Sequence, residues 1–202
     1  MTSTAKLYGL VLSGGKSTRM GIDKGLIKYH GVSQREYLYN LLSKICDTTF
    51  ISLREEQQTK APLGFATIID ENIFKGPFNG LLTAHKKYPK VAWLVLACDL
   101  PLIDLEALEQ LVSERDSNKF ATSFSHFENP LPEPVCAIWE PKALCKAIAY
   151  LNAGNGTCPR KFLINNDTKL VFPKNKNVIM NANYKAEYDE AIEKLALKAV
   201  KK

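Results

Sequence analysis

The segment Leu7–Lys24, L-Y-G-L-V-L-S-G-G-K-S-T-R-M-G-I-D-K, decides how the rest of the chain is read. Leu7, Leu10, Val11 and Leu12 form a short apolar run that suits a buried strand. Ser13-Gly14-Gly15 then interrupts any regular element. Lys16, Arg19 and Lys24 follow closely. A strand that feeds a glycine loop carrying cations suits a polyphosphate. Glycine lets backbone N–H groups approach phosphate oxygens, and the cations offset their charge.

Two familiar phosphate motifs do not fit. Gly15-Lys16-Ser17 has the tail of G-x-x-x-x-G-K-[ST], but the first glycine would fall at position 10, which is Leu10. A G-x-G-x-x-G pattern fails because Gly14 is followed by Gly15 and Lys16.

The segment from Leu12 to Lys24 matches L-x-G-G-x-S-x-R-M-G-x-D-K. This resembles the nucleotidyltransferases of the molybdenum cofactor guanylyltransferase family. The likeness covers nearly the whole chain and is strongest over 7–31, 67–84 and 94–103. It implies transfer of GMP from Mg·GTP to the terminal phosphate of molybdopterin or the molybdenum cofactor, with release of pyrophosphate. The alternatives are a cytidylyltransferase, a sugar-phosphate nucleotidyltransferase, or a nucleotide-binding regulator without catalysis. Guanine-specific members carry G-G where cytosine-specific relatives carry A-G, and this chain has Gly14-Gly15. A glycine leaves room for a purine edge against the loop backbone.

The remaining sequence reads as alternating strands and helices. Ser33 and Glu36 make a capping-box pattern ahead of Tyr37, Leu38, Leu41, Leu42 and Ile45 at helical spacing. Strands are expected at 50–53, 67–69, 93–97, 120–125, 134–139, 169–172 and 178–180. Helices are expected at 78–88, 105–114 after Asp104, 141–151 and 184–200. Residues 54–60 read as a loop or short helix. The alternation predicts an α/β, Rossmann-like three-layer sandwich, a mostly parallel sheet with helices on both faces, in a single domain over 1–202. Ser13, Asp70, Asp99 and Asn181 each follow an apolar run, and ligands of such sheets bind at the carboxyl ends of strands.

These positions carry the proposed chemistry. Lys16, Arg19 and Lys24 would surround the triphosphate, arginine as a two-pronged donor and lysine as a point charge. Cys98-Asp99-Leu100-Pro101 resembles the family's metal-binding step, so Asp99 is the expected Mg²⁺ ligand, with Asn181 beside it. Catalysis thus falls to Lys16, Arg19, Lys24 and Asp99. The nucleotide site would comprise Leu12, Ser13, Gly14, Gly15, Lys24, Ser52, Asp70, Gly76, Pro77, Gly80 and Asp99. In it, Asp70 of I-I-D-E matches a base- or ribose-contacting acid, and Gly76-Pro77-x-x-Gly80 matches the family. Asn181-Ala182-Asn183 matches the N-x-N that ends the pattern, giving Asn183 an acceptor role. Arg160 and Lys161 either hold an acceptor phosphate or start a helix.

Three departures stand out. Ser52 replaces an asparagine, Glu133 stands where a histidine precedes proline, and Tyr184-Lys185-Ala186 replaces T-P-E. His30, His85 and His126 have no metal spacing. None is needed, because a phosphate monoester is already mostly an anion at neutral pH.

Composition fits these expectations. The chain has 202 residues, 46% hydrophobic and 24% charged, with a net charge of +6. Much of that charge sits in Lys194, Lys198, Lys201 and Lys202, a solvated helix face rather than a nucleic-acid site. No apolar run is long enough to cross a bilayer, and Met1–Lys6 is too short and polar for a secretory signal. The five cysteines are scattered without C-x-x-C, which suits reduced thiols in a cytoplasmic protein. A monomer or weak oligomer without nucleic-acid or membrane partners is the expectation.

Overall fold

The computed structural model describes residues 4–14, 23–74 and 76–200, with the side chains of 199 and 200 excluded. Seven strands form one sheet: β1 Leu7–Leu12, β2 Thr48–Leu53, β3 Thr67–Ile69, β4 Ala92–Ala97, β5 Ala121–Ser125, β6 Pro132–Trp139 and β7 Thr168–Val171. Their order is β3-β2-β1-β4-β6-β5-β7. β6 runs antiparallel to both its neighbours and every other pairing is parallel. The mostly parallel expectation therefore holds. The exception has a local cause: β5 and β6 are joined by only 126–131, enough for a hairpin but not for a parallel crossover.

Among the described residues six α-helices accompany the sheet: α1 Gln34–Leu42, α2 Pro77–Lys87, α3 Leu105–Ser113, α4 Pro141–Asn152, α5 Pro159–Ile164 and α6 Lys185–Val200. Strand alternation decides which side chains meet which helices. On β4, Leu94 and Leu96 enter the core with Leu38 and Leu42 of α1 and Leu108 and Leu111 of α3. Trp93 and Val95 enter the opposite core with Phe78 and Leu81 of α2, Leu144 of α4 and Phe162 of α5. Being covered on both faces is what makes W-L-V-L an unbroken apolar run.

The expected helix starts are present. Ser33 N–H donates to Glu36 Oε2 at 3.0 Å. Asp104 Oδ1 accepts from Ala107 N–H, also at 3.0 Å. Residues 55–60 form a 3₁₀ helix, the second of the two readings given above. One expectation is corrected. Val178–Met180 is not a strand; Lys176–Ile179 is a 3₁₀ helix, and Met180 lies just beyond it. Asn175 Oδ1 accepts from Asn177 N–H at 3.1 Å and starts the turn. Val178 and Ile179 are buried by that turn against the α3-side core, which overrides their β propensity.

β1 lies between β2 and β4, so the chain departs to opposite sides after these two neighbouring strands. This is the switch point at which open α/β sheets bind ligands. No helix among the described residues is long and apolar enough to cross a membrane.

Candidate active site

The carboxyl ends of β1 to β4 deliver Ser13-Gly14, Arg54, Asp70 and Cys98-Asp99 to one edge of the sheet. Above β1, β2 and β3 lies a cavity of about 480 Å³, lined by Leu12, Gly14, Ser52, Asp70, Gly76, Pro77 and Gly80. All seven are positions expected from sequence. The volume is in the range of small-molecule sites. A second hollow of about 160 Å³ shares Leu12 and Ala97 with it and is lined by Ser13, Asp23, Lys24, Cys98 and Asp99. Gly15, Lys16 and Arg19 lie outside the described residues.

Close approach explains the glycines here. A Cβ on Gly14 would stand 2.8 Å from Asp70 Oδ2 and 3.4 Å from Arg54 Cγ. A Cβ on Gly80 would run into Ser52 Oγ and come within 3.2 Å of Asp70 Oδ1. Gly76 has φ +68° and leads into α2, whose first residue is Pro77. Ser52, fully buried, donates its hydroxyl to Asp70 Oδ1. The serine that replaces the family's asparagine thus orients the acidic side chain. Burial pushes the Asp70 carboxyl above its ordinary range, opposed by hydrogen bonds from Ser52 and Asn79 and by the Arg54 charge.

The smaller hollow holds the cation and the hard oxygen. Lys24 Nζ lies 3.9 Å from Asp99 Oδ2 and 2.6 Å from Asn183 Oδ1. Asp99 Oδ1 is buried and has no hydrogen-bond partner among the described residues. Desolvation raises the Asp99 pKa, Lys24 opposes that, and the Glu187 charge adds to it. A buried carboxylate oxygen of this kind is a fitting ligand for a divalent cation. Among the described residues no group of three or more His, Cys, Asp or Glu could hold a metal. Asp99 supplies a hard oxygen donor of the kind a divalent cation takes.

Asn181 and Asn183 flank buried Ala182, whose N–H donates to the Asp99 carbonyl at 2.8 Å. The two asparagines therefore stand beside Asp99 on an extended segment outside the sheet. They do not occupy the strand end that alternation suggested. Arg160 does start a helix, α5, and its charge is engaged: Nη2 meets Glu133 Oε2 at 2.7 Å and Nε donates to the Pro132 carbonyl at 3.1 Å.

Several site residues were not found by sequence reasoning. Arg54, Asn72, Phe74, Asn79, Ala97 and Val135 also line the larger cavity. Arg54 directly follows a strand, like Asp70 and Asp99, and that placement was a usable signal. Gln57 had none. Its buried amide donates to Ser13 O at 3.0 Å and Asp23 Oδ2 at 2.8 Å, tying together the two ends of the glycine loop.

Comparison with known proteins agrees with this geometry. Residues 9–169 match the model of the MobA-like NTP transferase domain. A molybdenum cofactor biosynthesis bifunctional protein of Synechocystis sp. is 39% identical over 189 residues, 93% of this chain, and the chain spans 54% of that longer relative. A molybdenum cofactor guanylyltransferase of Pseudomonas fluorescens is 31% identical over 184 residues, covering 86% of this chain and 88% of the relative. In fold, the chain is similar to a molybdopterin-guanine dinucleotide biosynthesis protein A from Archaeoglobus fulgidus. That likeness has a TM-score of 0.77 at 20% identity, covering 94% of this chain and 98% of the other. With the phosphate-loop sequence, the switch-point site and the match over 9–169 together, this chain belongs to the MobA-like NTP transferase domain family, and it is a nucleotidyltransferase.

Proposed function

We propose that the chain transfers GMP from GTP to the terminal phosphate of molybdopterin, releasing pyrophosphate. The observation that carries this reading is the pairing of a base-sized cavity with an adjoining Asp99–Lys24 centre at the switch point. The nucleoside would occupy the cavity of Gly14, Ser52, Asp70 and Gly80, leaving the α-phosphate beside Lys24 and Asp99.

An oxygen of the acceptor phosphate attacks the α-phosphorus. A new P–O bond forms, the bond to the β-phosphate bridging oxygen breaks, and pyrophosphate leaves with that electron pair. No general base is required, because the acceptor phosphate is already an anion. Lys24 donates to the non-bridging oxygens where charge accumulates, and Asn183 orients its ammonium group. Gly14, without a side chain, leaves its backbone N–H open to the phosphates. Asp99, with Asn181 beside it, would hold Mg²⁺, which supplies charge neutralisation and orientation of the phosphates when bound. Asp70, aligned by Ser52, accepts a hydrogen bond from the guanine edge or the ribose.

Pyrophosphate release tests the reading. The protein is mixed with Mg²⁺, molybdopterin and either GTP or CTP. Release that needs both GTP and molybdopterin is the expected result. Release with CTP alone among the nucleotides makes the chain a cytidylyltransferase, and release from GTP with a sugar phosphate but not molybdopterin moves the acceptor.

A further inference from the structure

We propose that Phe127, stacked on Phe172, forms the platform on which the planar heteroaromatic ring of the acceptor lies. The inference rests on the reading that the chain transfers a nucleotide to a phosphorylated acceptor. It begins from β5 and β7, at the far end of the sheet, which contribute no residue to the lining of the nucleotide cavity. Because β5 is parallel to β7 and antiparallel to β6, Ser125, Pro132 and the residue after Val171 all reach the edge that carries Asp99. The 126–131 loop and Phe172 therefore stand on the active-site rim.

Two aromatic rings meet there. Phe127 and Phe172 have centroids 4.5 Å apart and planes 21° from parallel. Phe127 is 67% exposed, so its outer side faces solvent. Its inner face is covered by Phe172, whose backbone is anchored. Gln110 of α3 pins the segment beneath it, donating from Nε2 to Phe172 O at 3.0 Å and accepting from Lys174 N–H at 3.1 Å. Glu128 Oε1 lies 3.7 Å from Lys176 Nζ, joining the loop to the segment that continues to Asn181 and Asn183. An aromatic face of this kind suits a flat π-system, because a phenyl ring offers stacking area at a low side-chain entropy cost.

Its position fits the acceptor and not the nucleotide. The nucleotide cavity lies mainly over β1, β2 and β3 and reaches β6 only at Val135, whereas Phe172 follows β7, at the edge strand opposite β3. Three strand spacings, about 14 Å measured across the sheet, separate the line of β7 from that of β4. A phosphate ester on a fused polycyclic ring can cover such a span, with its phosphate at Lys24 and Asp99. Between them lie Glu133 and Arg160. Their ion pair presents a half-exposed guanidinium on the same rim.

The probe is neopterin monophosphate, a fluorescent phosphorylated pterin, titrated by its own emission in the presence of Mg²⁺. Phe127→Ala should weaken its binding about tenfold, as loss of one aromatic stacking partner does. Phe127→Tyr should keep wild-type affinity. Phe127→Leu, which keeps apolar packing but has no ring, should behave like alanine. GTP affinity should be equal in all four proteins. Equal pterin affinity in wild type and Phe127→Ala, or no pterin binding by wild type, overturns the platform. So does full recovery by leucine. If wild type binds the pterin as described but molybdopterin and GTP yield no pyrophosphate, the transfer reading fails and the platform stands.

Discussion

Lys24 and Asn183 are 159 positions apart, yet Lys24 Nζ and Asn183 Oδ1 are only 2.6 Å apart. The bond ties the end of the glycine loop to the segment that also holds the Asp99 carbonyl through Ala182 N–H. Lys24 therefore sits beside Asp99 through contacts that are non-local in sequence. If it acts on charge that builds up at the α-phosphate, Lys24→Ala should lower kcat about 10²–10³-fold and weaken GTP binding less than tenfold. Asn183→Ala should lower kcat more mildly. Steady-state kinetics with a separate GTP binding titration distinguishes these, and a change confined to KM would make Lys24 a ground-state binding residue.

Asp99 supplies a second prediction. Its Oδ1 is buried without a hydrogen-bond partner among the described residues, an arrangement that a cation would relieve. Mg²⁺ should raise the Tm of wild type but not of Asp99→Asn, and the variant should lose roughly 10²-fold or more in turnover while staying folded. Near wild-type transfer by Asp99→Asn at limiting Mg²⁺ would remove the metal role.

Gly14 tests base choice. A Cβ there meets Asp70 Oδ2 at 2.8 Å, so Gly14→Ala must displace the carboxylate that Ser52 aligns. Wild type should prefer GTP to CTP. The variant should lose about tenfold or more in GTP affinity and less for CTP, since polar groups left unpaired by a wrong fit discriminate strongly. An equal loss for both nucleotides would take away the guanine assignment.

Asp70 carries a pH signature. Burial raises its folded pKa above the unfolded value, with Ser52, Asn79 and Arg54 opposing. Such a carboxyl takes up a proton on folding, so its ionised form destabilises the fold above the folded pKa. That cost fades as pH falls through the raised folded pKa toward the ordinary aspartate value. In the absence of nucleotide, Asp70→Asn should therefore have a higher Tm at neutral pH, and the gain should close on acidification. An unchanged or lower Tm at neutral pH would show that Asp70 is not strained there.

The elements that sequence disclosed are those whose signal is local. The Ser33–Glu36 and Asp104 helix starts, and the apolar runs ending at Asp70 and Asp99, all carry it within a few residues. What escaped depends on tertiary contacts. Val-Ile at 178–179 suits a strand until Asn175 turns the chain and α3-side burial closes it into a 3₁₀ helix. Gln57 lies in a charged run and becomes a loop clamp only because the 3₁₀ turn faces Ser13 and Asp23. The pairing of Glu133 with Arg160 joins a strand to a helix 27 positions away, a contact no local pattern announces.

The most direct test of the account follows the α-phosphorus. GTP labelled with ³²P at the α- or the γ-position is incubated with the protein, Mg²⁺ and molybdopterin, and the products are separated. The account predicts that α-label appears in a pyrophosphate-linked guanine–pterin dinucleotide and γ-label appears only in released pyrophosphate. Transfer of γ-label to the acceptor, or α-label recovered solely as free GMP, would contradict it.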